Sequence, residues 1–548
     1  MIDLLDSASP LPTPLPVRPP ETVSMRTRDG LRLDADMHRP DGPGSWPVLL
    51  MRVPHGRRAA LSTHYAHPRW YAAHGFVVVV QDVRGTGTSE GRFRPFESER
   101  DDGADAVAWA ASLPGSSGAV GMMGCGYAGM AQLLALAAAP PALKAVAPAL
   151  AGWDVYEDWA YEGGAFRVAA VMRMALRHAA ESARRVDDGT AYRALAEAAA
   201  RLPTDDEIPS RPKILRDYGR YTHYDDWLTT PVPGGYWDGL SPRAALADSP
   251  PDVAILQIGG WFDHRLAGTL DAHAAWSPRI PCGLLVGPWG EDGWAGGGAA
   301  VDVDRLHAAW FGRVLRALPL PDHRPVQLYD LLARRWSSAD PWSAGRPVVL
   351  HLGTGGLADR WPGSGRLGNA PDAPGLDVVV HDPWSPVPAL GGHGSPADGL
   401  ADRAALDRRP DVACYTMDAV VHPVTLCGGV ALELWVEADA PSFDVSAVLS
   451  AVMPDGRSLH LTRGHARVEP GTSTRPLTIP MRATCATLPA GSALRLSLAG
   501  ACYPACPVNP GTGAEPGETR QVDAQPITML IHSGRDRPSR VTVTVTDG

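Results

Sequence analysis

In the first part of the chain, short unbroken apolar runs alternate with helix-forming stretches. Pro47 to Val53 and Phe76 to Gln81 are continuous runs of the kind found inside a mostly parallel sheet covered on both faces, and Ala119 to Gly124 is a third. Arg100 to Ser112 and Ala128 to Ala139 have helical composition, so this region predicts a doubly wound α/β arrangement. From Ala151 to about Gly239 the texture changes to Trp153, Trp159, Phe166 and a run of Ala and Arg over Arg167 to Arg201, which predicts a helical insertion. The α/β pattern returns with Val253 to Ile258, Gly283 to Val286 and a helix near Asp304 to Ala317. The expected first domain is therefore discontinuous, residues 1–150 and 241–346, with a helical cap over 151–240.

Past Pro347 helices largely vanish. Val430 to Val436, Asp444 to Met453 and Val541 to Val545 show partly alternating, β-rich patterns between Gly and Pro turns, predicting a β-sandwich of jelly-roll type over 347–548. The loop from Pro383 to Pro410, rich in Gly, Pro and Asp, either connects domains or edges the site. No internal repeat is visible.

Composition narrows the function classes. At 548 residues, 45% hydrophobic and 20% charged, the chain has the balance of a globular enzyme of about three domains. A net charge of -10 without a basic stripe argues against nucleic acid and anionic membrane as partners. No stretch nears the roughly 18 consecutive apolar residues that a membrane span needs. Met1 to Pro20 lacks the basic start and apolar run of a secretory signal and reads as a loose arm, so the expected location is the cytoplasm. The residue usage suggests a high-GC bacterial genome. Seven scattered cysteines give neither a disulfide framework nor zinc spacing, and Cys502 and Cys506 read as free thiols. No metal or cofactor is expected; the expected partner is a small-molecule substrate, with a homodimer left open.

The candidate chemistry centres on Gly121-Met-Met-Gly124-Cys125-Gly126-Tyr127-Ala128-Gly129. A strand running through such a sequence into an Ala-rich helix is the setting of a nucleophile elbow, a strained turn that lifts one side chain over the sheet edge. The lifted residue would be serine, and here it is Gly126, which tolerates the positive torsion but offers no nucleophile. Cys125 is expected to face the core, because neighbouring strand residues point to opposite faces.

With Arg52 to His55, Gln81 to Gly85 followed by Ser89 to Gly91, Gly260-Trp-Phe-Asp263, Gly287-Pro-Trp289 and Pro454 to Gly456, the chain resembles the cocaine-esterase and X-Pro dipeptidyl-peptidase family of α/β-hydrolases over nearly its whole length. The resemblance implies an α/β-hydrolase domain, an inserted helical cap and a carboxy-terminal jelly roll. Carried over residue by residue, the nucleophile falls on Gly126, the acid on Asp263 and the base on Glu291, where the family has histidine. The oxyanion hole falls on the Tyr127 N–H and on His55, where the family has a tyrosine. Trp159 and Phe166 fall where the family's cap lines its pocket, and His264 and Arg265 follow the acid, a cation suited to a substrate carboxylate or enolate.

Two expectations follow. Asp263 and Glu291 would share a proton in a desolvated cleft, unless Glu291 turns to solvent or pairs with an arginine. The chain would then be a repurposed, non-hydrolytic acid–base catalyst with a degenerate triad: a lyase, isomerase or cyclase of bacterial specialised metabolism, eliminating a group from an ester or a carboxylate-containing metabolite. His55, Asp263 or Glu291 would be its base. The alternatives are a catalytically silent ligand-binding protein and a weak hydrolase using activated water.

Overall fold

The computed structural model describes residues 11, 13–58, 64–247, 252–295, 301–317, 326–339, 342, 345–361, 363–396, 398–469 and 476–546. Most of the amino-terminal arm expected before Pro20, residues 1–10 and 12, therefore lies outside the described residues.

A ten-stranded sheet carries the site. Its strands are β1 (Glu21–Arg26), β2 (Arg32–His38), β3 (Trp46–Val53), β4 (Val77–Asp82), β5 (Ser116–Cys125), β6 (Leu143–Ala149), then, past a two-stranded ribbon of β7 (Tyr161–Glu162) and β8 (Ala165–Phe166), β9 (Ala254–Gly260), β10 (Cys282–Gly287), β11 (Val326–Asp330) and β12 (Arg335–Ala339). Their spatial order is β1-β2-β4-β3-β5-β6-β9-β10-β11-β12. Neighbours from β4 to β11 run parallel, and the edges are antiparallel. In β4 every residue is buried, as a sheet covered on both faces requires. Helix α1 (Pro68–Ala73) precedes β4, α2 (Glu99–Ala111) precedes β5, and α3 (Tyr127–Ala137) leads from β5 towards β6. Two apolar cores, one on each face, include Leu49, Val78 and Ile258 in one and Leu50, Val79 and Ile255 in the other.

Between β6 and β9 the chain builds a cap: a π-helical turn at Val155–Ala160, the ribbon, α4 (Val168–Arg185), α5 (Gly189–Ala200) and several short helices. Its core joins Trp159, Phe166, Val171, Leu176 and Trp227 to Tyr127 and Met130 of α3, so the cap is packed directly over the elbow. The carboxy-terminal part is a β-sandwich whose long strands, among them Val424–Ala438, Phe443–Val452, Ser458–Val468 and Leu477–Leu488, enclose their own core. The molecule is thus an α/β-hydrolase sheet with an inserted helical cap and a carboxy-terminal jelly-roll sandwich.

Several sequence motifs resolve into buried ion pairs that brace this frame. Arg52 pairs with Glu99 at 3.0 Å and donates to Gln81, and Glu99 accepts the Tyr127 hydroxyl at 3.2 Å, tying β3, β4 and α2 to the first residue of α3. Arg84 pairs with Asp102 of α2 at 2.7 Å.

Candidate active site

The cleft between sheet and cap is a cavity of about 500 Å³ whose walls include His55, His64, Tyr65, Cys125, Gly126, Tyr127, Trp159, Arg177, His178, His264, Arg265 and Glu291. Of the residues singled out from sequence, six side chains and the Gly126–Tyr127 turn meet there. Asp263 lies one layer behind, wholly buried. Phe166 does not line the cavity: it packs in the cap core against Tyr161 and Tyr224.

Gly126 is the N-cap of α3, with φ +58° and ψ −118°, and its N–H donates to the Ala149 carbonyl at 2.9 Å. This is the strained strand-to-helix turn of a nucleophile elbow, held here by a residue with no side chain. The crossing is tight as well. A β-carbon on Gly129 would come within 2.8 Å of the Ala149 oxygen, so the helix can approach β6 only with glycine there. The Tyr127 N–H stands in the first turn of α3, where no intrahelical acceptor exists, and is free to meet an oxyanion.

The two carboxylates are engaged separately. Arg265 folds back on Asp263, its Nη2 at 2.8 Å from Oδ1, and Arg173 of α4 reaches Glu291 at 3.2 Å. Each carboxylate therefore has its own guanidinium partner, and for Glu291 this is the arginine pairing that the sequence left as the alternative to a shared proton. Arg265 is also stacked over Trp159, with Cζ 4.7 Å from the ring. Burial opposes its charge, but Asp263 and then Glu291 hold its pKa above the ordinary arginine value.

His55 faces the open cleft and stacks on His178 with centroids 5.0 Å apart. Desolvation by the enclosing walls, aided by Arg177, pushes its pKa down to about 4, so it is neutral at pH 7. His264 lies 3.7 Å from Asp263, yet burial first and Arg265 second keep its pKa well below the usual histidine range. Cys125 packs against the core of one sheet face and also borders the cavity. Because β5 ends at this residue and the chain turns at Gly126, its side chain is half-buried on the cavity wall. Burial raises its thiol to about 12, which keeps it protonated.

Sequence reasoning missed Arg173, Arg177 and His178, which α4 projects at near-helical-turn spacing into or beside the cleft, and Asp398, which accepts the Glu291 N–H at 3.3 Å. The i, i+4 spacing of Arg173 and Arg177 was the available signal. Asp398 belongs to the Gly- and Pro-rich loop expected to edge the site. Desolvation of the carboxylate where it turns in on Gly290, with Glu291 and Asp263 nearby, pushes its pKa up to about 7. Among the described residues, no group of three or more His, Cys, Asp or Glu side chains is arranged to hold a metal ion.

The profile of the X-Pro dipeptidyl-peptidase (S15 family) matches residues 29–290, and that of the X-Pro dipeptidyl-peptidase C-terminal non-catalytic domain matches residues 325–542. Cocaine esterase of Rhodococcus sp. (strain MB1 Bresler) is 28% identical over 567 residues, covering 95% of this chain and 98% of its own. Among solved structures, an α-amino acid ester hydrolase superposes with a TM-score of 0.77 at 21% identity, over 97% of both chains. An aminopeptidase from a marine sediment archaeon of the Thaumarchaeota does so with a TM-score of 0.77 at 19% identity, over 96% of both. These matches correct the expectation of a lyase, isomerase or cyclase. The matching family is named for a dipeptidyl-peptidase and the curated relative for an esterase, which are hydrolytic activities.

Proposed function

We propose, on the premise that the chain belongs to the cocaine-esterase and X-Pro dipeptidyl-peptidase family of α/β-hydrolases, that it hydrolyses a small ester or amide by direct attack of water, without an acyl-enzyme. The observation that carries this reading is the elbow: its geometry is kept at Gly126 while no hydroxyl or thiolate stands on it. The space where a side chain would rise opens into the cavity and can hold a water molecule.

In this reading Glu291, at the base position, takes a proton from that water as its oxygen attacks the substrate carbonyl carbon. The carbonyl oxygen becomes an oxyanion facing the Tyr127 N–H and the N–H of neutral His55. Collapse breaks the bond to the leaving alkoxide or amine, which takes the proton back from Glu291. Trp159 and Arg265 line the acid side, where the guanidinium favours a substrate bearing negative charge.

The test is hydrolysis in ¹⁸O-labelled water combined with intact-protein mass spectrometry on small aryl and aminoacyl esters. One labelled oxygen should enter the acid product with no mass added to the protein at any time. An acyl adduct trapped on the chain would overturn the reading. A second reading, binding without turnover, is favoured by the two guanidiniums that neutralise Asp263 and Glu291. Under it, ligands bind in the cavity and no ester is consumed.

A further inference from the structure

A second cavity, of about 310 Å³, shares a wall with the first: Phe93 lines it and packs edge-on against His178 at 4.6 Å. Four arginines line this second cavity, Arg92, Arg94, Arg185 and Arg220, and no carboxylate does. In a chain of net charge -10 such a concentration of cations is local. Arg94 pairs with Asp226 at 2.5 Å, and Arg220 with Asp188 at 2.9 Å. Arg92 donates to the Arg220 carbonyl at 3.2 Å and Arg185 to the Ser89 carbonyl. Those two guanidiniums thus have only backbone oxygens as hydrogen-bond partners among the described residues. Burial pushes the Arg185 pKa below the ordinary value, and the nearby Glu181 and Asp82 offset that only in part. His223 on the same wall is buried, and its Nε2 has no hydrogen-bond partner among the described residues.

We propose that this cavity is a binding site for a small polyanion bearing phosphate or carboxylate groups, distinct from the cleft over Gly126. Planar guanidinium forks match both groups, and several converging on one cleft hold an anion far better than a single arginine does. The volume suits a ligand of a few oxyanion groups. Its floor also connects to the first cavity: His223 lies 6.3 Å from His178, which is stacked on His55. An occupant would therefore sit at the end of a row of three imidazoles leading to the candidate oxyanion donor.

Isothermal titration of the full chain at low ionic strength with inorganic pyrophosphate, and separately with citrate, tests this. One equivalent of at least one of them should bind. Affinity should fall tenfold or more in Arg92→Ala and in the charge reversal Arg92→Glu, both on an exposed side chain that the fold does not need, and should be unchanged in Arg177→Ala at the first cavity. Pyrophosphate binding alone identifies a phosphate ligand, and citrate binding alone a carboxylate one. Binding of neither, or binding that survives Arg92→Glu or is lost in Arg177→Ala, overturns the proposal.

Discussion

The Arg265 guanidinium stands 3.3 Å from the point where a β-carbon on Gly126 would lie. A side chain at the elbow would meet a cation fixed by Asp263 and Trp159 rather than an imidazole ready to take its proton. Gly126→Ser is therefore expected not to create a serine hydrolase. Serine must also adopt φ +58° and ψ −118°, a conformation that costs about 1–3 kcal/mol outside glycine. The variant should melt earlier than wild type and gain no mass from a fluorophosphonate. Rapid labelling would mean that a competent base still faces position 126.

Arg173 and Glu291 are both partly exposed, at 27% and 30% of their side-chain surface, so their ion pair contributes no more than about 1 kcal/mol to folding. Glu291→Gln keeps the shape and removes the base. Urea unfolding should change by less than about 1 kcal/mol while hydrolysis disappears. Equal turnover in wild type and variant would place the base elsewhere, with Asp398 the next group to change.

The strands were legible because burial on both faces demands unbroken apolar runs, as in Val77 to Val80, and the elbow because only a glycine-rich turn lets α3 cross β6 so closely. The partners of the site were not. Glu291 meets Arg173 from 118 positions away in sequence, and the i, i+4 spacing that puts Arg173 and Arg177 on one helix face does not say whether that face turns inward or to solvent. Asp398 lies in a loop whose composition reports flexibility of sequence, not direction. Phe166 and Trp159 looked alike in sequence, but the ribbon turns Phe166 into the cap core while the π-helical turn leaves Trp159 on the cavity wall.

Glu162 joins the cap to the sandwich. Its buried carboxylate meets Arg167 at 2.7 Å, His393 at 3.0 Å and Arg463 at 3.2 Å, and the two guanidiniums with the imidazole outweigh desolvation and hold its pKa well below the ordinary carboxylate range. Glu162→Gln would leave two buried guanidiniums short of charge. Denaturant unfolding should show a loss of about 3–5 kcal/mol, the usual cost of breaking a buried pair from one side. A loss below about 1 kcal/mol would show that the node is dispensable.

His307 is wholly buried, stacked on Tyr65 at 5.4 Å, and neither ring nitrogen has a hydrogen-bond partner among the described residues. Burial pushes its pKa down to about 3. Between the unfolded value near 6.5 and this folded value only the unfolded chain takes up the proton, so the stability present above about pH 6.5 is lost as the pH falls through that window. The slope is about 1.4 kcal/mol per pH unit, or roughly 2 kcal/mol at pH 5. Phenylalanine fills the same space with nothing to protonate. His307→Phe should therefore be about as stable as wild type at pH 7 and more stable at pH 5, so that its own loss of stability between pH 7 and pH 5 is smaller than that of wild type by roughly 2 kcal/mol. An equal loss would mean that His307 is protonated inside the folded protein, and that the cavity wall behind Tyr65 admits water.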